Sequence, residues 1–277
     1  MKKILLSLIL IIIAVCSFSE TKTIFYEDVI YKKTDVKDLH LDIKYIDNGK
    51  LKPCVFLIHG GSWLAGDKKD MQWIGDDFVR QGYVSVTVQY RFMNEAPTPA
   101  CVEDCKTAVR FIREKARKYQ IDKDHIVAIG FSAGGHLASL LGVLPEDICK
   151  DDLYKNQSSR VQGVINLCGP CNFEMREPVG FIYNKSIQTH LCKDDPSLIK
   201  LCNPYNHIDK TSAPQMLFFG GQDTLVIPQQ CDSFVKKMND NGVYCYLQVK
   251  EDAGHGYNIF DYRDDINKFL NEVVGIK

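Results

Sequence analysis

The 277-residue sequence has no excess of either charge. Its 34 lysines and arginines face 35 aspartates and glutamates, which leaves a formal net charge of −1 at pH 7. Nucleic acids and anionic membranes attract proteins through clustered positive charge. Neither is therefore an expected partner. The hydrophobic share of 45% and the charged share of 25% are ordinary for a globular protein.

Internal repeats, low-complexity tracts and a complete metal-binding pattern are also missing. Cys168 and Cys171 form a close pair with redox-motif spacing, but the pair follows a predicted strand instead of opening a helix. No second close pair of cysteines or histidines completes a four-ligand zinc set. We therefore expect no metal site.

The N-terminus carries the three-part pattern of a secretory signal. Lys2 and Lys3 precede a run at 4–15 that is apolar except for one serine, and small residues stand at Ser17 and Ser19. The run is too short for a permanent membrane span. We expect a cleaved signal peptide over 1–19 and a secreted or periplasmic protein. A buried helix or uncleaved anchor is the alternative. A lipoprotein site at Cys16 is disfavoured because bulky Val15 precedes it.

Ten cysteines remain after this segment. Their even number in an exported chain predicts disulfide bonds, although the pairing cannot be read from sequence. Free buried thiols are the alternative. The ten positions are 54, 101, 105, 149, 168, 171, 192, 202, 231 and 245.

The rest of the chain alternates strands with helices. Residues 23–33 and 39–47 alternate apolar and polar side chains, as half-buried antiparallel strands do. The later pattern predicts right-handed βαβ units, a mainly parallel sheet and helices on both faces, in one α/β domain over 20–277. The later predicted strands cover 54–60, 83–90, 125–131, 161–169, 215–221 and 245–251, and the predicted helices cover 70–81, 100–119, 228–240 and 258–274.

One stretch, 170–212, breaks this alternation. It has no clear strand, and it holds four prolines and three cysteines. A connection this long in a compact domain is usually functional. We predict a cap or lid inserted between two strands. The prolines are Pro170, Pro178, Pro196 and Pro204, and the cysteines are Cys171, Cys192 and Cys202.

The segment Gly130-Phe-Ser-Ala-Gly134 predicts a nucleophilic serine. A strand pattern precedes it and a helical pattern follows it. In this context the G-x-S-x-G pattern forms a strained turn that exposes Ser132 beyond the carboxyl end of the sheet. An ordinary Gly/Ser turn is the alternative.

A serine hydroxyl needs a base to remove its proton. His255 follows the last predicted strand and Asp223 follows the one before it. We predict His255 as the base and Asp223 as the acid that orients it, since all three side chains can meet at one sheet edge. Asp252 and His136 are weaker candidates. Asp223 as a turn residue and His255 as a loop residue remain the alternatives.

The segment His59-Gly-Gly-Ser-Trp63 resembles the oxyanion motif of esterases. We predict that the backbone N–H groups of Gly61, Ser62 and Ala133 form the oxyanion hole. His59 is interpreted as a residue that fixes the loop, and Trp63 as one that either covers the site or packs.

These motifs, in this order, resemble the carboxylesterase branch of the α/β-hydrolases, which includes acetyl xylan and feruloyl esterases and lies near the hormone-sensitive lipase group. The resemblance covers the chain from about residue 38. It implies an α/β-hydrolase fold and a serine carboxylic-ester hydrolase without a metal or cofactor. Ser62 and Trp63 depart from the HGGG pattern of the lipase group, which leaves the acyl preference open.

We therefore expect cleavage of short acetyl-like or aryl esters, small or carbohydrate-linked, through an acyl-enzyme on Ser132. A kynurenine formamidase-type arylformamide hydrolase and a non-catalytic binding protein of the same fold are the alternatives. Asn156 and Asn184 begin N-glycosylation triplets, which matter only if the host glycosylates secreted chains.

Overall fold

The computed structural model describes residues 22–173, 185 and 187–276. The predicted signal segment, Pro178 and Asn184 lie outside the described residues. The strands are β1 (Lys22–Lys33), β2 (Asp38–Asp47), β3 (Lys52–Ile58), β4 (Val84–Val88), β5 (Ile121–Phe131), β6 (Gly163–Leu167), β7 (Gln215–Gly220) and β8 (Cys245–Lys250).

The helices lie mostly between these strands. They are α1 (Gln72–Arg80), α2 (Ala100–Glu114), α3 (Ala133–Val143), α4 (187–192), α5 (Pro196–Cys202), α6 (Gln230–Asp240) and α7 (Arg263–Lys268). Short 3₁₀ turns cover Lys68–Met71, Pro204–His207 and Ile259–Tyr262.

All eight strands form one sheet in the order β1-β2-β4-β3-β5-β6-β7-β8. The β1–β2 and β2–β4 pairs are antiparallel, and every other pair is parallel. The predicted mainly parallel α/β sheet is confirmed, including its antiparallel start.

The central strands are buried on both faces. In β3, Val55 and Leu57 pack in one apolar cluster while Phe56 and Ile58 pack in another, because successive strand residues point to opposite faces. Helices α2 and α3 contribute to the cluster of Phe56, whereas α1 and α7 contribute to that of Val55. The helices therefore cover both faces, as predicted.

The parallel strands all end at one edge of the sheet, and the residues with reactive side chains follow those strand ends. His59 follows β3, Ser132 follows β5 and Cys168 follows β6. Asp223 lies three residues after β7, and His255 lies five residues after β8. Ligands bind at such edges in open α/β sheets.

The C-terminal helix is less regular than the predicted run over 258–274. It begins as a 3₁₀ turn, continues as α7 and ends as a π turn over Phe269–Val273. The N–H of Val274 donates to the carbonyl of Phe269, five residues back, at 3.1 Å. Because the π turn over Phe269–Val273 is wider than an α-helical turn, α-helical geometry ends at Lys268.

The connection between β6 and β7 contains the predicted cap. Its described residues form α4, α5 and the turn Pro204–His207, with no strand among them. The side chain of Asp195 caps α5 by accepting from the N–H groups of Ser197 and Leu198. Residues 174–184 and 186 of the predicted cap lie outside the described part.

The predicted disulfide bonds are not confirmed. All ten cysteines of the described residues are free thiols, and nine of them are buried. Desolvation raises the pKa of each of the Cys54, Cys101 and Cys105 thiols. In the part of the chain that is described, no helix is long and apolar enough to cross a bilayer.

Candidate active site

Ser132 occupies a strained turn between β5 and α3. Its φ of 53° and ψ of −119° lie where a non-glycine residue costs about 1–3 kcal/mol. Its N–H donates to the carbonyl of Leu167 on β6, at 2.7 Å. This bond anchors the turn to the neighbouring strand.

The two glycines of the motif are needed for space. A Cβ at Gly130 would overlap the carbonyl oxygen of Gly134, and a Cβ at Gly134 would overlap the carbonyl oxygen of Ile58. Helix α3 therefore starts in direct contact with the ends of β3 and β5. This close approach forces the sharp turn that presents Ser132.

The structure brings Ser132, His255 and Asp223 into one hydrogen-bonded row. His255 Nε2 lies 2.9 Å from Ser132 Oγ, and His255 Nδ1 lies 2.7 Å from Asp223 Oδ2. With the ring proton on Nδ1 donated to Asp223, Nε2 is free to accept the Ser132 hydroxyl. This arrangement can deprotonate the serine as it attacks a substrate.

Asp223 is fixed on its other side as well. Its Oδ1 accepts the N–H groups of Leu225 and Val226, both at 2.8 Å, and its side chain is fully buried. The weaker acid candidate, Asp252, is exposed and makes no hydrogen bond to His255 among the described residues. The hydrogen bonding favours Asp223 for the orienting role.

Three consecutive residues after β3 have left-handed backbones. The φ values are 107° for Gly61, 53° for Ser62 and 59° for Trp63. The carbonyl of Gly61 turns away and accepts the N–H groups of Leu64 and Ala65. Within the described residues, the N–H groups of Gly61, Ser62 and Ala133 have no hydrogen-bond partner, so they can receive an oxyanion.

His59 stabilises this loop through its ring and its backbone carbonyl. Its ring stacks on Tyr90 with centroids 4.5 Å apart, and its Nδ1–H donates to the carbonyl of Gly60 at 2.7 Å. The Tyr90 hydroxyl donates to the His59 carbonyl at 3.1 Å. Burial lowers the pKa of His59, so the ring stays neutral near pH 7. These contacts fit the interpretation of His59 as a loop-fixing residue.

Trp63 both packs and faces the site. Its indole N–H donates to His136 Nδ1 at 3.2 Å, and His136 Nε2–H donates to the carbonyl of Cys202 at 2.7 Å. Burial lowers the pKa of His136 to about 4. Both ring nitrogens of His136 are engaged, so its geometry gives no support to its candidacy as the base. The chain Trp63–His136–Cys202 joins the oxyanion loop to the predicted cap.

Cys168 is a neighbour that the sequence reasoning did not assign. Its sulfur, a His255 nitrogen and an Asp223 oxygen all lie within 4.8 Å of one another. Burial, and then the charge of Asp223, raise the pKa of Cys168 to about 12, which keeps the thiol protonated. Asp223 and His255 are already bonded to each other. The rule that placed the other groups at strand ends would also have found Cys168.

A cavity of about 510 Å³ opens over Ser132, and we call it the reaction cavity. Gly61, Ser62 and Ala133 line one side of it. Phe131, Pro170 and His255 also line it. Further apolar side chains and one exposed histidine complete its described walls, namely Trp63, Leu64, Ile187, His190, Leu225 and Val226. Ile187 and His190 belong to the predicted cap, so the cap contributes to the walls of the site.

Comparisons with known proteins show which proteins this chain is similar to. Esterase LipC of Mycobacterium tuberculosis is 25% identical over 222 residues, which cover 76% of this chain and 55% of LipC. The chain thus spans about half the length of the curated relatives it matches.

Two solved structures match over nearly the whole fold. The propionate-bound esterase Est2 of Thermogutta terrifontis is 26% identical, with a TM-score of 0.76, over 90% of this chain and 94% of that one. A truncated carbohydrate esterase from gut microbiota is 25% identical, with a TM-score of 0.77, over 91% and 96%. The predicted resemblance to α/β-hydrolase carboxylesterases is confirmed.

A family model gives the most specific assignment. The model described as BD-FAE matches residues 41–238, which is well over half of the chain. The matched range includes Ser132, Asp223 and the oxyanion loop. The protein belongs to the BD-FAE family.

Proposed function

We propose that this protein is a serine hydrolase of carboxylic esters. The observation that carries the proposal is the row in which His255 lies 2.9 Å from the Ser132 hydroxyl and 2.7 Å from Asp223. The unpaired N–H groups of the oxyanion loop stand beside this row. The similarity to named esterases supports the same reading.

In the first half-reaction, Ser132 Oγ forms a bond to the ester carbonyl carbon while His255 Nε2 takes the hydroxyl proton. The carbonyl oxygen becomes an anion and accepts hydrogen bonds from Gly61, Ser62 and Ala133. The bond to the alcohol oxygen then breaks, and His255 returns the proton to the leaving alcohol. Asp223 stabilises the imidazolium and keeps its ring in place.

In the second half-reaction, water replaces the alcohol. His255 takes a proton from the water as its oxygen attacks the acyl carbon, and the same N–H groups hold the second oxyanion. The bond to Ser132 Oγ breaks, and the serine recovers its proton. The products are one carboxylic acid and one alcohol, without any metal or cofactor.

We propose short acyl esters, including carbohydrate-linked ones, as the substrate class. The reaction cavity, at about 510 Å³, is in the lower half of the range for small-molecule sites. Its apolar side chains, Trp63, Ile187 and Leu225, suit a short acyl or aryl group. Two relatives are named as propionate-bound and as a carbohydrate esterase, which supports this class.

The test compares wild type with Ser132→Ala on 4-nitrophenyl acetate. We expect kcat to fall by about 10⁴-fold or more. Ser197→Ala, an exposed serine on α5, is the matched control and should keep the wild-type rate. Equal rates in wild type and Ser132→Ala would overturn the mechanism and favour the non-catalytic alternative.

A substrate panel then separates the ester classes. We expect acetylated xylan and short aryl esters to be cleaved with higher kcat/KM than N-formylkynurenine, the substrate class of the formamidase alternative. The reverse order would replace the proposed ester class with an arylformamide.

We also propose that the protein is exported through a signal over residues 1–19. The charged start, the apolar run and the small residues at Ser17 and Ser19 support this proposal. N-terminal sequencing of protein recovered outside the cytoplasm is expected to begin at Glu20. Recovery only in the cytoplasm with Met1 intact would contradict export.

A further inference from the structure

The proposed oxyanion hole is built from two separate elements. Gly61 and Ser62 lie on the loop after β3, whereas Ala133 is the first residue of α3. Donors from both elements can bind one oxyanion only when the loop and the helix are held at a fixed spacing, because each N–H must point at the same oxygen. A contact between this loop and this helix therefore bears on catalysis.

The loop has to be held because its backbone is strained. Ser62 and Trp63 have φ values of 53° and 59°, in the left-handed region that residues with a Cβ disfavour. Such a conformation persists only where surrounding contacts hold it. One contact is made by the backbone of Trp63, whose carbonyl accepts the N–H of Met93 at 2.9 Å. The buried side chain of Trp63 makes the other.

His136 holds the Trp63 side chain from helix α3. Its Nδ1 accepts the indole N–H at 3.2 Å, and the two rings meet edge-on with centroids 5.2 Å apart. The backbone N–H of His136 donates to the carbonyl of Ser132 at 3.0 Å, in the same helical turn that carries Ala133. His136 therefore links the two halves of the proposed hole.

The predicted cap fixes the form of the ring that can make this link. The carbonyl of Cys202 can only accept, so His136 Nε2, which lies 2.7 Å from it, carries the ring proton. Nδ1 is then free to accept the indole N–H, which can only donate. The ring is fully buried, and desolvation lowers the pKa of His136 to about 4, which keeps the ring neutral. A protonated ring would turn an N–H toward the N–H of Trp63.

We propose that His136 is a positioning residue for the oxyanion hole. Its hydrogen bond to the indole of Trp63 holds Gly61 and Ser62 at the spacing from Ala133 that an oxyanion requires. The role rests on the proposed function, because an oxyanion forms only if the protein hydrolyses esters. His136 acts through Trp63 and is not among the described residues that line the reaction cavity.

Two substitutions separate the two hydrogen bonds of the ring. In His136→Asn the amide oxygen is as many bonds from Cα as Nδ1 is, so it can accept the indole N–H of Trp63. In His136→Gln the amide nitrogen corresponds in the same way to Nε2, so it can donate to the carbonyl of Cys202. Each variant lacks the ring and keeps one hydrogen bond. We therefore expect urea denaturation to give similar free energies of unfolding for the two variants.

Hydrolysis of 4-nitrophenyl acetate measures the catalytic consequence. We expect His136→Gln to lower kcat by about tenfold or more with KM within about twofold of wild type, because displaced donors weaken binding of the transition state alone. We expect His136→Asn to restore kcat to within about threefold of wild type. Equal losses of kcat in the two variants, or a loss confined to KM, would overturn the proposal.

Trp63→Phe gives a second test that leaves His136 in place. Phenylalanine keeps an aromatic ring but has no N–H, so it removes the same hydrogen bond from the side of the loop. Because the two side chains act as a unit, we expect adding His136→Gln to Trp63→Phe to change kcat by less than about twofold. Losses that multiply in the double variant would overturn the proposal.

Wild-type hydrolysis distinguishes a failure of the positioning role from a failure of the proposed function. Absence of Ser132-dependent hydrolysis in wild type would overturn both. Hydrolysis that depends on Ser132 but falls equally in His136→Gln and His136→Asn would overturn the positioning role alone and leave the proposed ester hydrolase in place.

Discussion

Asp223 holds His255 with one carboxylate oxygen while two backbone N–H groups hold the other. The first contact is 2.7 Å, and the two from Leu225 and Val226 are 2.8 Å each. These three hydrogen bonds fix both the position of the Asp223 carboxylate and the tautomer of the His255 imidazole.

Asp223→Asn is expected to lower kcat by about 10⁴-fold with little change in fold, because the amide stabilises the wrong tautomer of the histidine. Hydrolysis of 4-nitrophenyl acetate measures the effect. Asp252→Asn, on the same loop as His255 and exposed, is the matched control and should stay within about twofold of wild type. A large loss for Asp252→Asn with none for Asp223→Asn would reverse the assignment.

Gly130→Ala is expected to destabilise the protein by more than about 3 kcal/mol, because the new Cβ overlaps the backbone of Gly134. Gly254→Ala places its Cβ in open space and should be nearly neutral. Urea denaturation of the two variants beside wild type checks the contrast. Equal stability of both variants would refute the argument from close packing at the turn.

The neutral His136 makes stability depend on pH. Its folded pKa is about 4, against an ordinary value of 6.5. Between these values the unfolded chain binds a proton that the folded protein excludes, so stability falls as the pH drops from 6.5 to 4. The loss from this one buried group is on the order of 3 kcal/mol.

Denaturation of wild type and His136→Gln at pH 7 and pH 5 measures this contribution. We expect wild type to lose more stability than the variant between the two pH values. The difference between the two losses isolates His136 from the other titrating groups. Parallel losses in both proteins would contradict a neutral buried imidazole.

Where oxidation forms a disulfide bond, proximity should favour one pair of buried thiols. The sulfur atoms of Cys171 and Cys231 are 3.6 Å apart. With glutathione disulfide as oxidant, the two thiols lose two protons and two electrons, one S–S bond forms, and two glutathione thiols are released. We expect peptide mapping of the oxidised protein to recover a Cys171–Cys231 link.

Thiol counts of the unfolded protein give the control for this prediction. Cys171→Ser should prevent the loss of Cys231 on oxidation, whereas Cys54→Ser, in the buried strand β3, should leave the Cys171–Cys231 link in place. A link between other cysteines in preference to this pair would contradict the prediction.

The sequence predicted the sheet and the row of three side chains because both follow short-range rules. Strand ends of a parallel sheet meet at one edge, so the positions of Ser132, Asp223 and His255 after β5, β7 and β8 were enough to bring them together. The glycines around Ser132 and in the oxyanion loop indicated the tight turns at these two places. The roles of the three residues stay predictions.

The surroundings of that row could not be predicted in the same way. A cavity of about 500 Å³ adjoins the reaction cavity at Gly61, Phe131 and His255. It combines Trp73 from α1 with Phe218 from β7 and Tyr257 from the last loop, and no sequence spacing relates these positions. The bond from Trp63 to His136 crosses 73 positions of the chain. The disulfides were expected from an even cysteine count, which carries no information about which sulfurs are close.

The position of Phe131 has a consequence for altering what the protein accepts. The Phe131 ring lines two adjoining cavities of similar volume, and the base His255 and the oxyanion donor Gly61 line both as well. Exchanging that ring for a methyl group would widen the space where the two cavities meet and let a bulky alcohol or acyl group extend past the imidazole. The side chain at position 131 would then determine whether a substrate occupies one cavity or extends into both.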